Sequence, residues 1–123
     1  MNWAEIFAEV ASALKALWDN VGDPTRWKMS VNGTPVGTVT SVSIDASGMT
    51  VAFNDGQGNH TLKAVPGLQE ASVELDGTTV PGARLVFRVV EQPLDGKPVI
   101  GVFDYRNLTV NGVATDYRFD YPK

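Results

Sequence analysis

The chain contains one histidine, His60, and no cysteine, so it has few residues for nucleophilic or metal chemistry. A serine or threonine nucleophile needs a neighbouring base, usually histidine, and that base needs an orienting partner. The sequence places His60 beside the glycine-containing loop 54–59 and identifies no such partner. We therefore interpret His60 as a residue next to a turn, and we predict no catalytic residue and no metal site.

Three aspartates near the C-terminus, Asp104, Asp116 and Asp120, are of the residue type that glycoside hydrolysis uses as a pair. Asp116 and Asp120 alternate with Arg118 in one segment, and Arg106 lies in the segment before it. Opposite charges that alternate along a strand are typical of a solvated face with cross-strand pairs. We interpret these aspartates as surface residues.

Two short segments, 45–48 and 54–56, contain the Asp, Asn and Gly residues that calcium-binding loops use. Neither has the ligand spacing or the closing glutamate of an EF-hand, and both have the composition of tight turns. The glycines form no phosphate-binding pattern before a helix. We predict that the protein has no cofactor and is not an enzyme.

Composition limits the possible partners. The 123 residues carry a net charge of −4 and contain no run of Lys or Arg that could neutralise a nucleic-acid backbone. The apolar runs are far shorter than the ~18 residues of a membrane-spanning helix, so no membrane span is expected. Glu5 and Glu9 are not typical of a signal peptide, and we expect the protein in the cytoplasm or in a virion.

The elements that position these residues follow from the spacing of apolar side chains. In residues 1–22 the spacing is helical, and Asn2 and Gly22 are suited to begin and end a helix. We predict one N-terminal amphipathic helix whose apolar stripe covers the sheet or docks on another subunit. The candidate interface residues on this stripe are Trp3, Phe7, Val10, Leu14, Leu17 and Trp18.

Residues 26–123 have apolar side chains at every second position between turns rich in Gly, Asn and Asp. This alternation predicts about eight antiparallel strands. We expect one mainly β domain, residues 1–123, built as a barrel or a two-sheet sandwich, with a slight preference for the barrel-like form. The candidate core or cavity-lining residues are Trp27, Phe53, Phe87, Phe103, Tyr117 and Phe119.

The register of the last hairpin predicts a local irregularity. Its two strands carry four aromatic residues: Phe103, Tyr105, Tyr117 and Phe119. Regular pairing from a two-residue turn at residues 111–112 would place the first two rings on the opposite face from the last two. One extra residue near residues 106–107 brings all four rings to one face, so we predict a β-bulge there.

Two other segments interrupt the alternation. In the strand predicted for residues 35–44, Val36 and Val42 share one phase and Val39 falls in the other. Residues 81–82 are Pro-Gly, and proline lacks the amide hydrogen that a central strand requires. We predict a bulge or a sheet edge at residues 81–82.

A family resemblance rests on two hairpin segments. Residues 31–37 (VNGTPVG) lead into a strand rich in Thr, Val and Ser, and Leu68 leads into residues 71–77 (ASVELDG). With these segments, residues 31–77 resemble parts of the short β-rich structural proteins of tailed-phage particles, the tail-tube-like proteins. In that family, β-barrel or sandwich modules with one helix assemble into rings. The resemblance implies an assembly role but no particular functional residue.

Three functional hypotheses follow. The first is a non-enzymatic structural or interaction protein that forms a homo-oligomer or binds other assembly subunits, for instance in a phage particle. The second is a small β-barrel that binds an apolar ligand. The third is a small inhibitor that binds a target enzyme through its acidic surface. Oligomeric mass and a co-purified ligand are the observations that distinguish the first two.

Overall fold

The computed structural model describes residues 23–45, 48–66, 71–90 and 100–121. Within these ranges the chain forms antiparallel β-strands preceded by a single 3₁₀ turn, Pro24–Arg26. Asp23 caps this turn, because its side chain accepts a hydrogen bond of 3.0 Å from the Thr25 N–H. The predicted N-terminal helix lies outside the described residues. So do its candidate interface residues, Trp3, Phe7, Val10, Leu14, Leu17 and Trp18.

Ten strands are assigned in the described part of the chain, two of them only two residues long. They are β1 (Lys28–Val31), β2 (Thr34–Pro35), β3 (Thr38–Asp45), β4 (Gly48–Asn54), β5 (Asn59–Pro66), β6 (Ala71–Leu75), β7 (Thr78–Thr79), β8 (Arg84–Val90), β9 (Ile100–Val110) and β10 (Val113–Tyr121).

The strands form two five-stranded sheets. Sheet I has the order β2-β1-β10-β9-β8, and sheet II has the order β3-β4-β5-β6-β7. The sheets pack through their inner faces, where the Phe53 ring of sheet II lies 4.8 Å from the Tyr117 ring and 5.4 Å from the Phe119 ring of sheet I. The mainly β prediction and the two-sheet alternative are confirmed. The preference for a barrel-like form was wrong, because the sheets do not close.

The chain passes between the sheets at two turns, and these turns explain why no barrel forms. Val36 and Gly37 connect β2 of sheet I to β3 of sheet II. Gly37 has a φ of 86°, and a Cβ there would lie 2.6 Å from the Asn54 carbonyl oxygen. Residues 81–82, predicted as a bulge or an edge, form the return turn between β7 and β8. Both turns carry the chain across to the other sheet instead of extending a hydrogen-bonded ladder.

The predicted bulge in the last hairpin is confirmed. Leu108 pairs with Thr115, whereas Tyr105 pairs with Tyr117, so two residues of β9 lie opposite one residue of β10. The two residues are Arg106 and Asn107. The extra residue aligns the aromatic side chains of the two strands on the inner face. All four of the predicted rings are fully buried there: Phe103, Tyr105, Tyr117 and Phe119.

Asn107 gives the bulge its backbone geometry. Its φ of 65° lies in the left-handed region, which asparagine enters more readily than most residues. Its backbone N–H donates to the Asp116 carboxylate at 3.2 Å, and its side-chain amide donates to the Gly82 carbonyl at 3.4 Å. The bulge is therefore held to β10 on one side and to the turn before β8 on the other.

Sheet II contains a second bulge, which explains the irregular phase of its first strand. Val39 and Ser41 of β3 pair with consecutive residues of β4, so Thr40 is the extra residue. The bulge returns Val39 to the buried face, where it is 4% exposed, whereas Val36 is 40% exposed. Val36 lies in the connection between β2 and β3, outside the strand predicted to include it.

The core combines an aromatic and an aliphatic surface. On the sheet I side, the buried aromatic residues are Trp27, Phe103, Tyr105, Tyr117, Phe119 and Tyr121. Sheet II contributes Val39, Val42, Ile44, Met49, Val51, Phe53, Leu62, Ala64, Ala71 and Val73. Of the six predicted core residues, five are buried. Phe87 is only half-buried and stacks on Phe103 at 6.0 Å.

Candidate functional site

A cleft opens at one end of the sandwich, where the β1–β2 turn, the β4–β5 loop and the β9–β10 turn lie together. Its volume is about 600 Å³. Part of its lining is aliphatic: Val31, Val36, Val110 and Val113. Another part is polar and includes Asp55, Gln57, His60 and Tyr117. The cleft therefore places apolar surface and hydrogen-bonding groups side by side, as in sites that take amphipathic groups.

The β4–β5 loop positions Asp55 through its own backbone amides. The Asp55 Oδ1 accepts hydrogen bonds from the Gln57 N–H at 2.9 Å and the Gly58 N–H at 3.0 Å, and the Asn54 Oδ1 accepts from the Gly56 N–H at 2.8 Å. These contacts are the side-chain-to-backbone bonds that Asn and Asp form in turns. The turn interpretation of residues 54–56 is confirmed. The second carboxylate oxygen of Asp55 stays available to other groups.

His60 lies between two carboxylates. Its Nδ1 is 2.8 Å from the Asp76 Oδ2, and its Nε2 is 3.4 Å from the Asp55 Oδ2. The Phe53 ring packs against the imidazole at 5.8 Å. Because a carboxylate faces each nitrogen, neither nitrogen is directed at an open position where it would take a proton from a substrate.

The sequence reasoning missed Asp76 as a partner of His60. The two residues are 16 positions apart, and the β5–β6 pairing brings them together. The other oxygen of Asp76 accepts a hydrogen bond of 2.8 Å from the Thr61 N–H, which places the carboxylate beside the imidazole. The turn composition of residues 76–77 identified a turn but gave no indication of which strand would lie beside it.

The electrostatics of this end of the molecule are dominated by carboxylates. Burial opposes ionisation of Asp76, but hydrogen bonds from His60 and the Thr61 N–H, together with the His60 charge, lower the pKa of Asp76 below its ordinary value. Burial raises the pKa of Tyr117, and the charges of Asp55 and Asp76 raise it further. The described lining includes no Lys or Arg. The cleft thus favours a cationic group and disfavours an anion.

The described residues contain no group of three or more His, Cys, Asp or Glu side chains arranged to hold a metal ion. Asp55 and Asp76 approach opposite edges of the His60 ring, so their carboxylates do not converge on one point. This arrangement suits hydrogen bonding to the imidazole.

The three C-terminal aspartates lie on the exterior of sheet I. Asp104 pairs with Arg106 at 3.3 Å, and Asp120 pairs with Arg118 at 3.0 Å, each two residues away on its own strand. Asp116 accepts the backbone hydrogen bond at the bulge. The predicted solvated face is confirmed, but the pairing was wrong: both ion pairs join residues of the same strand and not of neighbouring strands. The aspartates do not form a facing pair of carboxylates.

The outer face of sheet I also carries cations without an ion pair to any described residue. Lys28, Arg84 and Arg88 are exposed, and Val86, which lies between the two arginines on β8, is 41% exposed. Arg84 lies directly opposite Arg106 in the β8–β9 pairing. Lys28 lies on β1 opposite Asp120, away from the arginines. We call the surface formed by Arg84, Val86 and Arg88 on β8 the basic face. The sequence analysis did not identify this surface, because the opposition of the two arginines depends on register.

The predicted core or cavity-lining residues separate into two groups. Tyr117 borders the cleft, and Trp27 borders a second groove of about 370 Å³ beside the β2–β3 connection. Trp27 also packs on Tyr121 at 5.1 Å. The remaining members contact other aromatic rings in or beside the core: Phe53, Phe87, Phe103 and Phe119.

Comparisons with known proteins give no assignment: no family model, no curated protein and no solved structure matches the chain. In the described ranges, no helix is both long and apolar enough to cross a membrane. The cleft and the basic face are therefore the features of the described residues on which a function can be proposed.

Proposed function

We propose that this protein is a non-enzymatic assembly protein whose copies bind one another through the basic face. The observation that carries this proposal is a separation of charge. The chain has a net charge of −4, yet Arg84 and Arg88, which have no ion pair to a described residue, flank the exposed Val86 along β8. Opposite charge on different surfaces of the same molecule makes two copies electrostatically complementary.

The pairing of Arg84 with Arg106 supports the proposal. Like charges directly opposite each other on neighbouring strands destabilise a sheet, and the nearby Asp104 is paired with Arg106 only. A carboxylate from a partner would offset this repulsion. Val86, beside Arg84 on the same face, offers apolar surface that a partner would bury.

The non-enzymatic part of the proposal is supported by the groups that could have done chemistry. Both nitrogens of His60 face carboxylates, and Asp104 and Asp120 are held in ion pairs. The apolar-ligand hypothesis has weaker support, because the sheets do not form the closed barrel on which it was based. A component of a virion is the form of assembly that the phage resemblance implies.

Mass measurement by light scattering after size exclusion tests the proposal. We expect a mass above the 13.2 kDa monomer as concentration rises from roughly 10 μM to 1 mM, a range that covers weak self-association. The mass should fall at high ionic strength, because salt screens surface charges. A 13.2 kDa species at every concentration in low salt overturns the proposal.

Matched charge reversals test the surface. Arg84→Glu removes a cation from the basic face, and Lys63→Glu makes the same change in net charge on the outer face of sheet II. We expect Arg84→Glu to weaken association and Lys63→Glu to leave it nearly unchanged. Equal effects, or stronger association of Arg84→Glu, would contradict the proposal. The second result would mean that Arg84 instead guards the β8 edge against strand pairing.

A further inference from the structure

We infer that the cleft is the acceptor surface of this assembly and binds the Arg84 side chain of a second copy. The inference rests on the proposed function and adds the second surface of the contact. The donor and the acceptor are different surfaces, and we infer a head-to-tail contact that each pair makes once, so that its repetition produces a ring or a filament.

The chemistry of the cleft matches both parts of an arginine side chain. The three methylene groups of arginine pack on apolar surface, which the cleft valines, including Val113 at its rim, supply. The guanidinium forms its strongest hydrogen bonds with carboxylates, and Asp55 lies in the lining. The loop amides use Asp55 Oδ1, and Oδ2 lies 3.4 Å from His60 Nε2. A carboxylate oxygen accepts more than one hydrogen bond, so an arginine N–H would share Oδ2 with the imidazole.

The charge of the cleft selects the occupant. No Lys or Arg belongs to its described lining, and the Asp55 and Asp76 charges act on Tyr117 within it. An anionic partner would meet these carboxylates, with no Lys or Arg in the described lining to offset the repulsion. Because the basic face belongs to the same chain, every copy carries both the acidic acceptor and its basic complement.

Of Arg84 and Arg88, Arg84 gains the more favourable electrostatic environment when it binds the cleft of a second copy. It has no ion pair to a described residue and faces Arg106 across the ladder. A carboxylate of the neighbouring cleft would lie near both guanidinium groups. Arg88 lies opposite Val102 and has no such like-charged neighbour across the strand pair.

Two complementary variants test the contact. Arg84→Glu leaves the cleft intact and removes the donor. Val113→Lys changes a side chain that is 60% exposed at the cleft rim, so it leaves the core intact and adds a cation to the acceptor. Each variant alone should associate roughly 10- to 100-fold more weakly than the unmodified chain, because like charges now meet. Val113→Thr, similar in shape and uncharged, is the control and should associate normally.

An equimolar mixture of the two variants gives the sharpest readout. In a head-to-tail contact the intact cleft of Arg84→Glu binds the intact donor of Val113→Lys, and the pair has no further usable surfaces. We expect a 1:1 heterodimer and no larger species, measured by native mass spectrometry. The unmodified chain should form trimers or larger species, because a contact made once per pair leaves a donor and an acceptor for further copies.

The possible failures are distinguishable. An unmodified chain that stays monomeric overturns the proposed function and this inference together. If Arg84→Glu abolishes association but Val113→Lys does not, the basic face is used and the cleft is not the acceptor. An unmodified chain that stops at a dimer, or a mixture that stays monomeric, overturns the head-to-tail contact. Asp55→Asn, which keeps an oxygen for the loop amides, should weaken association without unfolding.

Discussion

Sheet I and sheet II each have five strands and share one core, but their side chains differ on both faces. The inner face of sheet I buries five aromatic residues, and the adjoining Trp27 is the sixth, whereas sheet II buries aliphatic residues and one phenylalanine, Phe53. On the outer faces, sheet I carries arginines and aspartates. Sheet II carries mainly hydroxyl side chains such as Thr38, Ser43 and Ser72.

The difference shows how two sheets with similar alternation acquire different roles. The Tyr117 and Phe119 rings of sheet I reach across the gap and meet Phe53 of sheet II, so aromatic contacts join the two layers. Outside, neutral hydroxyl groups bind water without favouring a charged partner, whereas arginines attract carboxylates over several ångströms. The two sheets have the same pattern of buried and exposed positions, and they differ in the type of side chain on each face.

The largest expected effect comes from deleting single residues of β9. Deletion of Asp104 puts Phe103 and Tyr105 on opposite faces of the strand, so one ring leaves the core and stability falls by about 3–5 kcal/mol or more. Deletion of Asn107 leaves a regular ladder and should cost less than about 2 kcal/mol. Urea denaturation measures both. Equal losses would contradict the bulge as the source of the aromatic alignment.

The same comparison extends to sheet II. Thr40 is the extra residue of its bulge, so deletion of Thr40 should also be tolerated, whereas deletion of Ser43 would turn neighbouring buried residues outward. A large loss of stability on deletion of Thr40 would mean that the bulge contributes more than register. Circular dichroism, recorded with the denaturation curves, shows whether each variant keeps its β structure.

The next effect concerns the buried hydroxyl of Tyr105, which has no hydrogen-bond partner among the described residues. Burial raises the pKa of Tyr105 above its ordinary value of about 10. Above pH 10 the unfolded chain loses this proton and the folded chain keeps it. The unfolded state then binds fewer protons, and stability falls by about 1.4 kcal/mol per pH unit from this group.

Tyr105→Phe should remove that alkaline loss and should cost no more than about 1 kcal/mol at neutral pH, because the hydroxyl forms no bond to lose. Denaturation at pH 7 and at successive alkaline pH values measures the difference. Phe53→Leu, a core change in sheet II, is the control and should keep the steep alkaline loss. An unchanged alkaline slope in Tyr105→Phe would contradict the prediction.

A smaller effect is expected at the acidic end of the sandwich. Burial opposes ionisation of Asp76, but its hydrogen bonds to His60 and the Thr61 N–H prevail and lower its pKa. A carboxyl with a lowered folded-state pKa stabilises the fold above its unfolded pKa of about 3.9, and this contribution is lost as pH falls below it. Asp76→Asn should therefore show a weaker dependence of Tm on pH between pH 7 and pH 3.

His60→Gln is the matched variant for this measurement. It removes one partner of Asp76 and leaves the Thr61 amide, so its pH dependence should lie between those of the unmodified chain and Asp76→Asn. A Tm profile identical to that of the unmodified chain in both variants would show that this hydrogen-bonded group does not couple to folding.

The smallest expected effects are changes in monomer stability on charge reversal, and they should have opposite signs on the outer faces of the two sheets. Lys63→Glu places a carboxylate opposite Glu74 in sheet II and should destabilise the monomer by about 0.2–1 kcal/mol. Arg84→Glu places a carboxylate opposite Arg106 in sheet I and should stabilise the monomer by a similar amount. Denaturation at low protein concentration measures both. A change in the free energy of unfolding of the same sign in both variants would contradict a repulsion between Arg84 and Arg106.

The two bulges show how far register can be argued from sequence. The bulge at residues 106–107 was predictable, because four large rings on the wrong faces would be a costly conflict. Val39 gave a similar indication for the bulge at Thr40, but one valine out of phase can be accommodated on an exterior face. The contact of His60 with Asp76 was not predictable, because it depends on the pairing of β5 with β6.

The resemblance to phage tail-tube-like proteins and the N-terminal helix stay predictions. No match to a known protein supports the former, and the latter lies outside the described residues.

The sequence by itself determined the β class, the position of most turns, the aromatic core and one bulge. These features depend on consecutive residues, because period-two alternation and turn composition are local properties of the chain. Only the tertiary structure decided between a barrel and a sandwich, placed Asp76 beside His60, set Arg84 opposite Arg106 and formed the cleft. Those features depend on which distant strands pair and where the chain crosses between sheets, and alternation is the same in either arrangement.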